Sequence, residues 1–108
     1  MHNWWEMECP QKEYAEQCFY HAFDGDGVAT IYNPDIQKEL TIRFDSQSLP
    51  HLTQWKKLNV QEYVLGLEPG NCTPDGRDSL RKQGKLQPIQ PNEVKQFQIQ
   101  IEFASKSR

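Results

Sequence analysis

Hydrophobic and polar positions alternate strictly near the C-terminus, where KQFQIQIEF sets Phe97, Ile99, Ile101 and Phe103 on one side and Gln96, Gln98, Gln100 and Glu102 on the other. A period of two is that of a β-strand with one buried face, so this segment is expected to be a half-buried antiparallel strand. ELTIRF repeats the pattern, with Leu40, Ile42 and Phe44 inward and Glu39, Thr41 and Arg43 outward. QCFYHAF, the DGDG stretch at residues 24–27 and VATIYN together read as a hairpin, since Asp and Gly supply the positive φ angles of a tight turn. Asn33-Pro34-Asp35 marks the next turn. LTQWKKL and EYVLGL are two further short strands. SLRKQG has room for about one turn of helix before Gly84 stops it.

Strands separated by Gly, Pro, Asn and Asp turns, with no long amphipathic helix, predict an all-β protein, an antiparallel β-sandwich. Its 108 residues suffice for one domain at most, and residues 104–108 are expected to form a frayed tail. A hydrophobic fraction of 36% and a mean hydropathy of -0.86 are low for a self-sufficient globule, whereas an aromatic content of 11% argues against disorder. The 12 basic and 15 acidic residues are mixed along the chain and sum to -3, which offers no field for a polyanion, so nucleic acid is not an expected partner. No apolar stretch approaches the roughly 20 residues that cross a bilayer, and MHNWWEMECP lacks the pattern of a signal peptide. The expected setting is cytoplasmic, with no membrane partner.

Cys9, Cys18 and Cys72 are odd in number and form no CxxC pair, and His2, His21 and His51 fall at no metal-ligand spacing, so no metal site is expected. The DGDG stretch also lacks the later ligands of a calcium loop. Asn71-Cys72-Thr73 fits a glycosylation sequon, a pattern short enough to arise by chance.

The stretch YVLGLEPGN, residues 63–71, carries the candidate chemistry. An apolar strand ends on Glu68, and burying a carboxylate there would cost desolvation energy. Either the strand leaves the core for water, or Glu68 is a general base at the lip of a pocket. Parity puts Val64, Gly66 and Glu68 on one side, so Gly66 leaves an open floor beside the carboxylate. Pro69 holds Glu68 extended and is expected to end strand pairing. Trp55 and Lys56 face opposite ways. Trp55 is either core packing or a stacking platform for a sugar, and Lys56 is either an exposed strand lysine or a partner of Glu68 or of a substrate hydroxyl. Arg77 follows a Pro-Asp-Gly turn and could bind sugar oxygens or a carboxylate, while Asn71 could bind ligand or close its own turn.

From about His21 onward the chain resembles the C-terminal region of the galactose mutarotase-like superfamily, in its branch of aldose 1-epimerase-related proteins. The resemblance rests on LTQWK, YVLGLEP followed by Asn71, the Gly76-Arg77 pair and the run G-x-L-x-x-I-x-P-x-E from Gly84 to Glu93. It implies a sugar-binding isomerase in which Glu68 removes the proton of the anomeric hydroxyl, without a cofactor. The substrate-binding residues are then Trp55, Lys56, Asn71 and Arg77. Only about the last third of the superfamily pattern is matched, and neither His21 nor His51 matches the histidine that serves as its acid. The 108 residues would then be one β-sandwich domain or the C-terminal part of a larger mutarotase-like domain, incomplete as an enzyme by itself. The alternative is a noncatalytic module that binds carbohydrate or self-associates, a second copy covering exposed sheet faces and edges.

Overall fold

The computed structural model describes residues 4–10 and 12–107. Among the described residues, six strands and one short helix follow in the order β1 (Gln17–Ala22), β2 (Asp26–Asn33), β3 (Lys38–Asp45), β4 (His51–Leu58), β5 (Tyr63–Gly70), α1 (Arg77–Lys82) and β6 (Ile99–Ser105). They form two three-stranded antiparallel sheets with the orders β1-β4-β5 and β2-β3-β6. The all-β expectation holds. Helix α1 is as short as SLRKQG implies, and Gly84 stops it at φ 69.

The DGDG stretch does not close a hairpin. β1 pairs with β4, and β2 pairs with β3, so residues 23–25 carry the chain from one sheet into the other. Gly25 takes the expected positive φ, 110°, and its carbonyl accepts a hydrogen bond from the Ser46 hydroxyl. Just before it, Phe23 donates its backbone N–H to Pro50 O at 3.1 Å, which ties this crossover to the one between β3 and β4. The core gathers at these crossovers. Ile42, Phe44, Leu49 and Leu52 are buried together, with Phe23, Ala29, Leu40 and Leu67 packed against them. The Phe23 and Phe44 rings meet edge to face, with centroids 5.2 Å apart. Gly27 is obligatory beneath Phe44, because a Cβ there would enter the ring.

Asn33-Pro34-Asp35 makes the expected turn, Asn33 Oδ1 accepting the Asp35 N–H at 2.9 Å. On β3 the inward set Leu40, Ile42 and Phe44 is confirmed, but Glu39 and Thr41 on the opposite face are buried as well. Glu39 lies 3.6 Å from the Lys106 ammonium, and the Thr41 and Thr30 hydroxyls are 3.2 Å apart, so this face is satisfied by polar contacts.

β6 keeps the predicted parity, but not the predicted burial. Ile99, Ile101 and Phe103 stand opposite Phe44, Ile42 and Leu40, yet Ile101 is 61% and Phe103 77% exposed. β6 is an edge strand, and the core lies over the β3 side of the sheet. The radius of gyration is 16.4 Å, against roughly 13 Å for a compact chain of this length. Ala104 and Ser105, expected in a frayed tail, are instead the last residues of β6, paired with Glu39 and Lys38, and Lys106 N donates to Gln37 O at 3.0 Å. Arg108, the end of that tail, lies outside the described residues.

Candidate functional site

The site is built on one face of the β1-β4-β5 sheet, where register decides which side chains are neighbours. Tyr20 pairs with Thr53 and Thr53 with Glu68, forming one row across the three strands. Cys18, Trp55 and Gly66 form the next row, and Ala22, His51 and Gly70 the row on the other side. Glu68 is exposed, whereas Thr53, flanked by Tyr20 and Glu68, is buried.

The open floor expected at Gly66 is taken by Glu68 itself. Its Oε1 lies 2.7 Å from where a Cβ of Gly66 would stand, so the carboxylate folds back over the glycine toward the Trp55 row. Gly66 is therefore what allows this pose. Among the described residues, no ion pair engages the Glu68 carboxylate. Trp55 is half-buried, and its indole N–H donates to Glu16 Oε2 at 3.0 Å, which fixes the ring on this face.

Tyr20 is 57% exposed. Partial desolvation, followed by the nearby Cys18 and Asp75, raises its pKa, so the phenol stays a neutral hydrogen-bond donor at ordinary pH. The influence of Asp75 shows that the loop after β5 comes within electrostatic range of Tyr20. Thr73 Oγ1 donates to Asp75 Oδ2 at 2.5 Å and stiffens that loop.

Of the five residues singled out in the sequence, Glu68 and Trp55 share this face. Asn71 is half-buried immediately after β5, and Arg77 is exposed at the first position of α1. Lys56 is on the opposite face, paired with Leu65, and its side chain is fully buried. Neither an exposed strand lysine nor a partner of Glu68 describes it. Its ammonium donates to Glu6 O and lies 6.0 Å from the centre of the Phe19 ring. Burial lowers its pKa, while Glu8 and Glu6 act in the opposite direction.

Pro69 does not end pairing, because β5 continues opposite Leu52 and His51 through Gly70. On an edge strand alternate N–H groups face away from the one neighbour, so a residue without an N–H is tolerated. Sequence reasoning missed Tyr20 and Thr53. Their parity was readable, but the hairpin reading set β1 beside β2 instead of β4. His51 faces the same side as Glu68 and is diagonal to it in the register, whereas His21 is on the other face, with Nε2 3.1 Å from Gln54 Oε1.

A groove of about 360 Å³, lined by Asp26, Arg43, Asp45, Gln98 and Gln100 among others, belongs to the other sheet and holds none of these residues. Among the described residues no cluster of His, Cys, Asp and Glu could hold a metal ion, and no helix is long and apolar enough to cross a membrane. The three cysteines are unpaired and exposed.

These features define an all-β protein of two small antiparallel sheets, one of which presents a carboxylate and aromatic side chains on a single face. Residues 1–103 match a domain of unknown function, DUF4432, and the chain belongs to that family. No curated protein and no solved structure matched the chain.

Proposed function

We propose that the Glu68 face of the β1-β4-β5 sheet binds an aldose and that Glu68 is the base of an aldose 1-epimerase-like reaction, as in the galactose mutarotase-like superfamily. The observation that carries this reading is the pose of Glu68, whose carboxylate lies over Gly66 toward Trp55 in a face shared with Tyr20 and Thr53. An acceptor beside aromatic rings suits a sugar, whose C–H faces pack on the rings while its hydroxyls donate to the carboxylate.

In the proposed reaction Glu68 accepts the proton of the anomeric hydroxyl, the bond from C1 to the ring oxygen breaks, and an acid protonates that oxygen. C1 then rotates in the open-chain aldehyde, and the reverse transfers close the ring with either configuration.

Exchange between the anomers of glucose and galactose, followed by NMR, tests the reading. The expected result, in a preparation that also contains the upstream superfamily segments that supply the acid, is enhanced exchange that Glu68→Gln abolishes with little loss of stability. Exchange at the same rate in Glu68→Gln refutes the role of Glu68.

A second reading is supported by the exposed apolar stripe of Ile99, Ile101 and Phe103 on an edge strand. We propose that a second copy of the chain covers it, making a self-associating module. Sedimentation velocity distinguishes a dimer from a monomer, and a monomer at high concentration ends this reading.

A further inference from the structure

The face of the β1-β4-β5 sheet opposite Glu68 carries a ladder of side-chain donors matched to an extended peptide. Gln54 Nε2 donates to Trp4 O at 2.6 Å, Lys56 Nζ donates to Glu6 O, and Tyr63 Oη donates to Glu8 O at 2.7 Å. The acceptors are alternate carbonyls of one segment. The donors occupy successive rows of one sheet face, because Gln54, Lys56 and Leu58 alternate along β4 and Tyr63 is the register partner of Leu58. Same-side positions on a strand and in an extended peptide repeat at the same interval of roughly 6.6 Å, so rows and carbonyls stay in step. Residues 4–8 therefore run alongside β4 in the same direction.

The recognition is of backbone. All three bonds end on carbonyls, which every residue type provides; the side chains of Trp4, Trp5 and Met7 stay 49%, 62% and 36% exposed and bury the rest of their surface, and Glu8 and Glu6 act electrostatically on the Lys56 ammonium. Trp4 adds an edge contact with the His21 ring, centroids 4.9 Å apart. Beneath this strap the Lys56 side chain has no exposure, although Lys57 next to it remains partly exposed.

We propose that this face is a peptide-backbone-binding groove, that residues 4–8 are its resident and displaceable occupant, and that their seating controls access to the Lys56 amine. A segment outside both sheets, held by three hydrogen bonds and the partial burial of Trp4, Trp5 and Met7, opens at lower free energy than the sheet beneath it unfolds. The sugar reading concerns the other face, and the two stand or fall separately.

The test is amine labelling of the full chain with acetic anhydride in trace amounts, read by mass spectrometry at Lys56 with exposed Lys85 as the internal standard. Lys56 is expected to label far more slowly than Lys85. In Gln54→Leu/Tyr63→Phe, which removes two of the three donors, Lys56 labelling should rise roughly tenfold relative to Lys85 while unfolding stays cooperative. The triple variant Trp4→Gly/Trp5→Gly/Met7→Gly leaves the groove intact and loosens the strap, and it should also label faster. A synthetic peptide with the sequence of residues 4–9, added at millimolar concentration, should restore protection in that variant. Unchanged labelling in the donor variant, or no protection by the peptide, overturns the proposal.

Discussion

Lys56 and Glu68 stand on opposite faces of one sheet, the amine buried beneath residues 4–8 and the carboxylate folded over Gly66. One strand position separates Lys56 from Trp55, and that step sends the two side chains to different environments. One face is covered at Lys56 by residues 4–8, and the other leaves Glu68 exposed.

Gly66→Ala tests how the Glu68 pose is made. The new methyl would lie 2.7 Å from Glu68 Oε1, and the clash is relieved by swinging the flexible end of that side chain away. Stability is expected to change by less than about 1 kcal/mol, since replacing a strand glycine by alanine is itself mildly favourable. Sugar binding, measured by titration of the sheet amide signals, should fall. Binding equal to that of the parent chain would show that the pose does not matter.

At Gly27 the same substitution should behave in the opposite way. A Cβ there meets the buried Phe44 ring, which then has to shift against Phe23, on which it is packed. Gly27→Ala is expected to cost about 1–3 kcal/mol in urea unfolding through overpacking. A variant of parental stability would mean that the core has room at this point.

The buried amine predicts an alkaline effect. The folded-state pKa of Lys56 is lowered from its ordinary 10.5, so the folded chain binds fewer protons at this site than the unfolded chain. The cost of holding it charged is fully present below the folded pKa and is relieved as pH rises through that value toward 10.5. Tyr14 and Tyr63, whose pKa values burial raises first of all, act in the opposite direction at high pH. The comparison of parent and Lys56→Met isolates the lysine: the parent should gain stability relative to the variant between neutral pH and pH about 10. A difference independent of pH would contradict the burial of a titrating amine.

On β6, Ile101→Lys places a charge where the side chain is 61% exposed. The expected change in unfolding free energy is within about 0.5 kcal/mol, as for other exposed positions, while sedimentation should show less self-association. Strong destabilisation would mean that Ile101 belongs to the core of this chain.

Much was legible from local pattern. The parities of β3, β4, β5 and β6, the turn at Asn33 and the end of α1 at Gly84 are written in the spacing of apolar residues and in turn chemistry, both set within a few residues. Glu68 and Trp55 could be placed on opposite or equal faces of their own strands in the same way. Their common face could not, because it depends on the register between β4 and β5.

Strand partners were decided by the tertiary structure. A turn such as DGDG reverses the chain equally well into a hairpin or across to a second sheet, and Phe23 settles the matter by entering the core between the crossovers. The alternation of β6 likewise specifies an apolar face but not what covers it, and in this chain the core ends on β3. Lys56 shows the same division: its parity follows from the sequence, whereas its burial comes from residues some fifty positions away whose carbonyls receive the donors of the sheet. Local pattern acts through neighbours in the chain, and burial is set by neighbours in space.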